Sequence, residues 1–345
     1  MKKETSKRKI AGNLFFVLIT LIGLLVIVFS LNDINEIKQA LTKADPLYII
    51  IGLVISLLHM VVSSFTLHFI ASGLGVRLKK KDSLTIAGSE YFFNAITPFA
   101  SGGQPIQGYL LHKKGVSGDQ TISILMTNFI VYQTVMTVVS TVGLLLFYRE
   151  VKDILNQYMF LIMIGYTINL LILVVLVLVS VLPKMHKLFE GIFRLLGKIK
   201  FLTKRMKSLE EKTFSFVKDF QHGMGLLFKR KRVFIGATML RVVGILLLNS
   251  IPYVVFLGFG FDLGPSDLAF VISVSAFSTT FMMWVPTPGA SGGTEWAFTV
   301  IFVSLLRGLG HPMLVASMLV WRFITYYFGM LYGFICYLIV QKRGN

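Results

Sequence analysis

The sequence predicts an all-α polytopic membrane protein with about six spanning helices and two re-entrant or broken helical hairpins. Three observations lead to this fold class. The 345 residues are 55% hydrophobic and only 14% charged, whereas about a quarter of the residues in a soluble domain are charged. The apolar residues form blocks of roughly 20 residues or more, the length that a helix needs to cross a bilayer. A heptad that contains Pro and Gly occurs twice, each time interrupting an apolar stretch.

Six apolar blocks are long enough to be spanning helices. They occupy residues 10–31, 46–73, 120–147, 155–182, 233–259 and 312–340. The first follows a basic segment, but its length and the residues after it do not fit a cleaved signal peptide, so we expect a retained signal anchor. We therefore treat residues 1–345 as a single transmembrane domain.

Lys and Arg set the expected orientation, because cytoplasmic loops carry an excess of both. Residues 1–9 hold five of them, and the loop at 183–232 holds 14 against four acids. Both segments, and the C-terminus, are expected on the cytoplasmic side of the plasma membrane. Within the loop, apolar residues of 187–200 recur at three- and four-residue steps, and basic residues fill the polar positions. This pattern predicts an amphipathic helix that lies on anionic headgroups.

The net charge of +18 follows from this topology, since the basic residues lie in loops beside apolar blocks. A nucleic-acid partner is not expected, because no basic domain with interleaved aromatic residues is present. No metal or cofactor is expected either. The single cysteine, Cys336, excludes an intramolecular disulfide and a thiolate metal cluster, and the six histidines are scattered.

The two heptads are residues 97–103 and 287–293, which match at six of seven positions and lie 190 residues apart. Each is preceded by spanning blocks and followed by another. The charge pattern lets the stretch at 83–115 open to the cytoplasm and the stretch at 266–306 open to the outside. This order predicts an inverted-topology repeat, with repeat one at about 10–147, repeat two at about 155–340 and a site near mid-membrane.

Two alternatives stay open for these stretches. The second could consist of two full crossings, and the match could be a coincidence of residues that are common in membrane helices.

Each heptad is expected to break a helix, because proline lacks a backbone donor and glycine frees φ. Unpaired backbone groups are tolerated at membrane depth only inside protein or beside a water-filled cavity. A helix N-terminus at the break favours an anion such as phosphate, whereas the alternative is a Gly-rich contact between helices. The candidate substrate-binding residues of the breaks are Thr97, Pro98, Ser101, Gly102, Gly103, Thr287, Pro288, Ser291, Gly292 and Gly293.

Four ionisable residues lie in apolar surroundings, namely Glu90, Arg241, Glu295 and Arg322. Each costs about 3 kcal/mol at the centre of a membrane helix. As substrate-binding residues, the arginines would meet a phosphate and the glutamates a cation or a proton. The structural alternative is two buried ion pairs that lock the repeats. Arg241, eight residues into its block, is expected to snorkel to the cytoplasmic face.

The second break, Pro286-Thr287-Pro288-Gly289-Ala290-Ser291-Gly292-Gly293-Thr294-Glu295, with Arg322 in an aromatic helix, resembles the transmembrane region of the lysylphosphatidylglycerol synthase/flippase family, the multiple peptide resistance factors. The first break, followed by Gln104, is similar to that family's upstream motif. The resemblance covers essentially the whole chain and implies movement of aminoacylated phosphatidylglycerol between leaflets. It also implies that aminoacyl transfer belongs to a separate soluble domain, for which a chain ending at Asn345 leaves no room.

The leading hypothesis is therefore a transporter, and not an enzyme, that moves an anionic or aminoacylated phospholipid or a glycolipid between leaflets. The alternative is an intramembrane lipid-modifying enzyme, for which Ser101 and Ser291 are candidate hydroxyls without a His or Asp beside them. A third hypothesis is a membrane partner of a separate synthase. The expected partners are membrane lipids, above all anionic phospholipid, and a second copy of the chain or such a synthase.

Overall fold

The computed structural model describes residues 34–155, 159–182, 230–282, 285–305 and 311–342, with a few positions between 213 and 225. The predicted spanning block at 10–31 and the predicted amphipathic segment at 187–200 lie outside the described residues.

The described residues are largely helical, and the last two helices are joined by a π-helical turn, Phe323–Tyr327. The helices are α1 (Ile34–Thr42), α2 (Pro46–Gly73), α3 (Lys80–Ala95), α4 (Gly103–Lys113), α5 (Gly118–Leu146), α6 (Tyr148–Leu155), α7 (Met159–Val181), α8 (Lys231–Gly258), α9 (Pro265–Met282), α10 (Gly293–Leu305), α11 (His311–Arg322) and α12 (Phe328–Lys342).

Among the described residues, five helical segments are long and apolar enough to cross a membrane, and they overlap five of the six predicted blocks. They are Pro46–Gly73, Gly118–Leu146, Met163–Ser180, Lys231–Gly258 and Pro312–Lys342. The bounds of α2 agree with the prediction because its start is defined by local chemistry. The Asp45 carboxylate accepts a bond from the backbone N–H of Leu47 at 2.9 Å, and Pro46 occupies the first helical position.

The two interrupted stretches are helical hairpins. Hairpin 1 consists of α3 and α4, and hairpin 2 consists of α9 and α10. The longer arms, α3 and α9, have 16 and 18 residues, which at 1.5 Å per residue is about 24 and 27 Å. Each arm is therefore shorter than the hydrocarbon core of about 30 Å.

Helices α2 and α8 pack against each other in opposite directions. Gly73 at the end of α2 touches Val233 near the start of α8, and Gly258 at the end of α8 touches Tyr48 near the start of α2. Between these ends the His59 imidazole Nδ1 lies 2.7 Å from the Gly244 carbonyl oxygen. The contact therefore runs along the whole length of both helices.

The first arm of each hairpin packs against the last long helix of the other half of the chain. In hairpin 1, α3 meets α12, where Gly88 lies against Cys336 and Gly333 lies against Phe92. In hairpin 2, α9 meets α5, where Ser273 lies against Gly143. Small residues at these contacts let the backbones approach closely, as is common between membrane helices.

The largest apolar cluster lies beside hairpin 2 and joins α8, α10 and α11. Phe256 contacts Phe298 and Phe302, and the Trp321 ring stacks on Phe298 with 4.7 Å between centroids. This packing fixes α10 and α11 relative to each other, and these helices carry Glu295 and Arg322.

Candidate functional site

The breaks in the two hairpins meet each other. Pro98 of the first break and Pro288 of the second form an isolated antiparallel β-bridge. The sequence predicted that both breaks contribute to one site, and the fold brings them into direct backbone contact.

The two breaks have the same turn geometry. Phe99 and Ala100 have φ of 55° and 48°, and Gly289 and Ala290 have φ of 56° and 54°. In each turn the N–H of the following serine donates to the carbonyl of the proline, at 3.2 Å in the first and 3.1 Å in the second. Two successive positive φ values with this bond define a type I′ turn. Phe99 adopts a conformation that costs an ordinary L-residue roughly 1–2 kcal/mol, so the surrounding structure holds this turn.

Side chains already occupy the backbone donors at the start of α4. The N–H of Gly102 donates to the Thr97 hydroxyl at 2.8 Å, and the N–H of Gly103 donates to the Asn94 amide oxygen at 2.7 Å. At the second break, the N–H of Gly292 donates to the Glu295 carboxylate at 2.6 Å. The hypothesis that these helix N-termini bind an anion therefore loses its nearest donors, and the arginines become the better candidates.

Glu295 and Arg322 form a buried ion pair. The Arg322 Nε donates to Glu295 Oε1 at 2.6 Å, and the two side chains are 6% and 8% exposed. Glu295 uses its other oxygen for the Gly292 N–H, so both of its oxygens are engaged. The Arg322 Nη2, in contrast, is buried and has no hydrogen-bond partner among the described residues. A buried donor without a partner is costly and is available to an acceptor that enters the site.

Tyr326 joins this ion pair to both breaks. The Arg322 guanidinium lies 4.8 Å from the centre of the Tyr326 ring, and the hydroxyl donates to the Ala95 carbonyl at 3.0 Å. The same hydroxyl interacts with the Ser291 side chain. A Cβ on Gly289 would lie only 2.1 Å from the ring. The ring therefore rests on the second turn while its hydroxyl holds the end of α3.

A cavity of about 170 Å³ lies between the two breaks and the π-helical turn. Its walls come from both hairpins and from the final helices: Tyr91, Asn94, Ala95, Ala100, Gly289, Thr325, Tyr326, Gly329 and Met330. The site thus combines a small cavity with mainly apolar walls, two broken helices and an adjacent buried charge pair.

A second polar cluster joins hairpin 1 to α2, α5 and α8. The Gln107 amide donates to the Glu90 carboxylate at 2.5 Å, so the two arms are joined across the hairpin. The Arg241 guanidinium donates to Asn128 at 2.5 Å and to Ser63 at 3.4 Å. Glu90 and Arg241 interact electrostatically, although each has other polar partners at contact distance.

The expectation that Arg241 snorkels to the cytoplasmic face is wrong. Arg241 is 7% exposed and points among α2, α5 and the Tyr132 ring, whose centre is 5.6 Å from the guanidinium carbon. The physical reason is that neighbouring helices offer polar partners at the same depth. Snorkelling is favoured only where the charged group would otherwise face hydrocarbon.

The predicted site residues therefore fall into three groups. The residues of the two breaks come together at the Pro98–Pro288 bridge, Glu295 and Arg322 pair beside the second break, and Glu90 lies beneath the first break. Arg241 joins Glu90 and not the Glu295 pair. The sequence did not single out Asn94, Gln107, Asn128 or Tyr326 as site residues. The signal for the first three is an amide side chain within or beside an apolar stretch, which needs a partner at membrane depth.

A helical membrane protein in which two interrupted hairpins meet around buried charges is the class that this fold and site define. The chain belongs to the family described as the lysylphosphatidylglycerol synthase TM region, whose family model matches residues 13–333. A relative, the UPF0104 membrane protein of Methanothermobacter thermautotrophicus, is 24% identical over 307 residues, which are 85% of this chain and 85% of that protein. The family resemblance that the breaks predicted is therefore confirmed.

Proposed function

We propose that this protein is a lipid flippase, which moves an anionic or aminoacylated phospholipid, such as lysylphosphatidylglycerol, or a glycolipid between leaflets. The observation that carries the proposal is the meeting of the two breaks beside a cavity and a buried arginine with a free donor. Transporters bind substrate at discontinuous helices near mid-membrane. A headgroup would pass through the cavity while the acyl chains stay in the bilayer.

The Arg322 Nη2 is the proposed contact for the phosphate of the headgroup. Guanidinium groups bind phosphate through several donors at once, which adds directionality to the charge. Because Glu295 is already engaged, an ammonium that reaches this carboxylate must first loosen the ion pair. Such a substrate-dependent opening would couple headgroup binding to movement of α10 against α11.

We propose that the chain is an inverted repeat, an architecture that supports this mechanism. Four observations favour the repeat. Helices α2 and α8, each the second spanning segment of its proposed repeat, run antiparallel. Each hairpin packs its first arm on the last helix of the other half. The two turns share positive φ values at equivalent positions, and they pair in an antiparallel bridge. We propose that hairpin 1 opens to the cytoplasm and hairpin 2 to the outside.

We propose that the protein lies in the plasma membrane with both termini in the cytoplasm. Single cysteines introduced as Lys79→Cys and Asp262→Cys, in a Cys336→Ser background, test it. In intact cells, a membrane-impermeant maleimide should label the cysteine at 262 and leave the one at 79 unmodified until the cells are permeabilised. The reverse labelling pattern would contradict the orientation.

The transport test uses proteoliposomes that contain a fluorescent phospholipid and a membrane-impermeant quencher. Wild type should expose lipid from the inner leaflet faster than protein-free vesicles do. Glu295→Ala and Arg322→Ala should each slow this exchange at least tenfold, whereas Asp262→Asn, at an exposed position of an outer loop, should not. If Glu295→Ala and Arg322→Ala both exchange lipid at the wild-type rate, the proposal is overturned.

We propose a transporter and not a lipid-modifying enzyme, because neither serine of the breaks is set up as a nucleophile. The Ser101 hydroxyl donates to the Pro98 carbonyl at 2.9 Å, and the Ser291 side chain interacts with the Tyr326 hydroxyl. A nucleophilic serine needs a base within hydrogen-bonding reach. Conversion of purified lipid in detergent, where no second compartment exists, would instead favour the enzyme.

The proposed partners are membrane lipids, chiefly anionic phospholipid, and not nucleic acid. A second copy of the chain or a separate synthase is also proposed, and co-purification from the native membrane tests both.

A further inference from the structure

The two buried acid–base sets of this protein differ in one respect. Glu295 and Arg322 contact each other directly at 2.6 Å. Glu90 of hairpin 1 and Arg241 of α8 interact electrostatically, but each forms its hydrogen bond with a neutral side chain. Glu90 accepts from Gln107, and Arg241 donates to Asn128. We call the Glu295–Arg322 set closed, because its acid and base contact each other directly. We call the Glu90–Arg241 set open, because its acid and base are bonded to other side chains.

We infer that the open set is a second headgroup site, which binds a phospholipid carrying both a phosphate and an ammonium group. The phosphate would lie at Arg241 and the ammonium at Glu90. The inference rests on the proposed function and deepens it, because it names the chemical class of the headgroup and a second position on its path.

Arg241 has donor capacity to spare. Its Nη2 donates to Asn128 at 2.5 Å, its Nη1 makes only a long contact to Ser63 at 3.4 Å, and its Nε has no partner among the described residues. The side chain is 7% exposed, so water does not satisfy these donors easily. A phosphate offers several acceptor oxygens to a planar guanidinium. On the edge formed by Nε and Nη2 it would satisfy Nε and share Nη2 with Asn128.

Glu90 has acceptor capacity to spare. A carboxylate has two oxygens and about four acceptor positions, and Gln107 takes up one of them. Arg241 interacts with Glu90 electrostatically but donates its hydrogen bond to Asn128. An ammonium group, with three donors, fits this position. Glu295 is the poorer partner for an ammonium, since Arg322 and the Gly292 N–H occupy both of its oxygens.

The open set adjoins the cavity between the two breaks. Tyr91 interacts with Glu90 and Arg241 and also lines the cavity, and Asn94 lines the cavity one helical turn from Glu90. Glu90, Tyr91 and Asn128 are only partly buried, although they lie beside the buried Arg241. Tyr91 therefore lies between the cavity and the cluster, which makes it the proposed point of entry for a headgroup.

Binding to the detergent-purified full-length protein tests the inference, because binding needs no second compartment. The probes are short-chain phosphatidylethanolamine, with phosphate and ammonium, and short-chain phosphatidylglycerol, with phosphate alone; affinities come from calorimetric titration. Glu90→Gln keeps the shape of the side chain and removes its charge. It should weaken phosphatidylethanolamine binding about tenfold, as expected for one charge-assisted hydrogen bond, and change phosphatidylglycerol binding by less than about twofold.

Arg241→Gln should weaken both lipids about tenfold, because both carry the phosphate. If that variant does not purify as a folded protein, Arg241→Lys retains the charge and should weaken both lipids by an equal, smaller factor. Asp262→Asn serves as the control with unchanged affinities.

The inference is overturned if Glu90→Gln weakens both lipids equally or neither. It is also overturned if Glu295→Gln, and not Glu90→Gln, removes the preference for the ammonium-bearing lipid. The proposed function is judged separately: wild-type protein that binds as expected but moves no lipid in proteoliposomes contradicts the flippase and leaves the site intact. If wild-type protein exchanges lipid but Glu90→Gln shows no selective loss of phosphatidylethanolamine binding, the flippase stands and the second site is contradicted.

Discussion

The Tyr326 hydroxyl donates a hydrogen bond to the Ala95 carbonyl oxygen, with 3.0 Å between the two oxygen atoms. Ala95 is the last residue of α3, and Tyr326 belongs to the π-helical turn before α12. The Tyr326 ring covers the Arg322 guanidinium and rests on Gly289. One side chain therefore links the end of hairpin 1, the turn of hairpin 2 and the buried ion pair. π-Helical turns are often found at functional sites.

Gly289→Ala should destabilise the protein by about 1–3 kcal/mol, as overpacking does. The added Cβ would lie 2.1 Å from the Tyr326 ring. The positive φ alone does not require glycine, because Phe99 and Ala290 adopt nearly the same value. Chemical unfolding in detergent measures the change. Adding Tyr326→Ala should remove the packing part of this effect and leave about 1–2 kcal/mol for alanine at a positive φ. An undiminished effect in that background would refute the packing argument.

Gly118→Ala is the matched control for this experiment. A Cβ there meets no atom within 4 Å, and the residue begins α5. Its effect should stay within about 0.5 kcal/mol, as at other sites without special contacts.

Tyr326→Phe should destabilise the protein by about 1 kcal/mol, the usual net contribution of one hydrogen bond. The ring stays in place over Arg322, but the Ala95 carbonyl loses its donor. Tyr109→Phe on α4 is the control, since that side chain is 55% exposed. The same unfolding assay applies, and equal effects at both positions would show that the hydroxyl of Tyr326 has no special role.

Removing one partner of the Glu295–Arg322 pair should destabilise the protein by about 3–5 kcal/mol, because the other charge remains buried. Glu295→Gln leaves Arg322 without a counter-ion, and Arg322→Met does the same to Glu295. The double variant should be close to wild type, since Gln still accepts from the Gly292 N–H and no charge remains. Strictly additive effects in this double-mutant cycle would contradict a direct interaction.

Gly333→Ala should separate α3 from α12. A Cβ at Gly333 would lie 2.4 Å from the Phe92 backbone nitrogen, which cannot move aside as a side chain can. The native Cys336 reports this separation, because it is 3% exposed and packs against Gly88 in the same contact. Its reaction with a membrane-permeant maleimide should be slow in wild type and at least tenfold faster in the variant. Gly108→Ala, whose Cβ would make an ordinary 3.4 Å contact with Leu125, should leave the rate unchanged.

The helical segments could be predicted because length and composition alone decide whether a segment can cross a bilayer. The block at 46–73 was predicted with its observed bounds from its apolar length, and the structure shows that Asp45 and Pro46 define its start locally. The two breaks were also predictable, because proline and glycine act on their own backbone. That both turns would have two residues with positive φ was not predictable, since Phe99 opposes this conformation and its turn lies at the tertiary contact between Pro98 and Pro288.

The partners of the buried charges depended on the tertiary structure. Glu295 and Arg322 could be placed in one site from the sequence, but the choice between a paired and an open arrangement required coordinates. Arg241 was placed wrongly because its neighbours in the sequence do not indicate that α8 packs against α2 and α5. These helices supply its hydrogen-bond partners, Ser63 and Asn128. A side chain's environment at membrane depth is set by helices distant in sequence.

The sequence by itself determined that this is a helical membrane protein, which family it belongs to and where its helices break, because hydropathy, motif and backbone chemistry are local properties. The tertiary structure alone decided that Pro98 meets Pro288, that Tyr326 bridges the hairpins and that one acid–base set is closed while the other is open. These contacts join residues that lie far apart in the chain, and only helix packing brings them together.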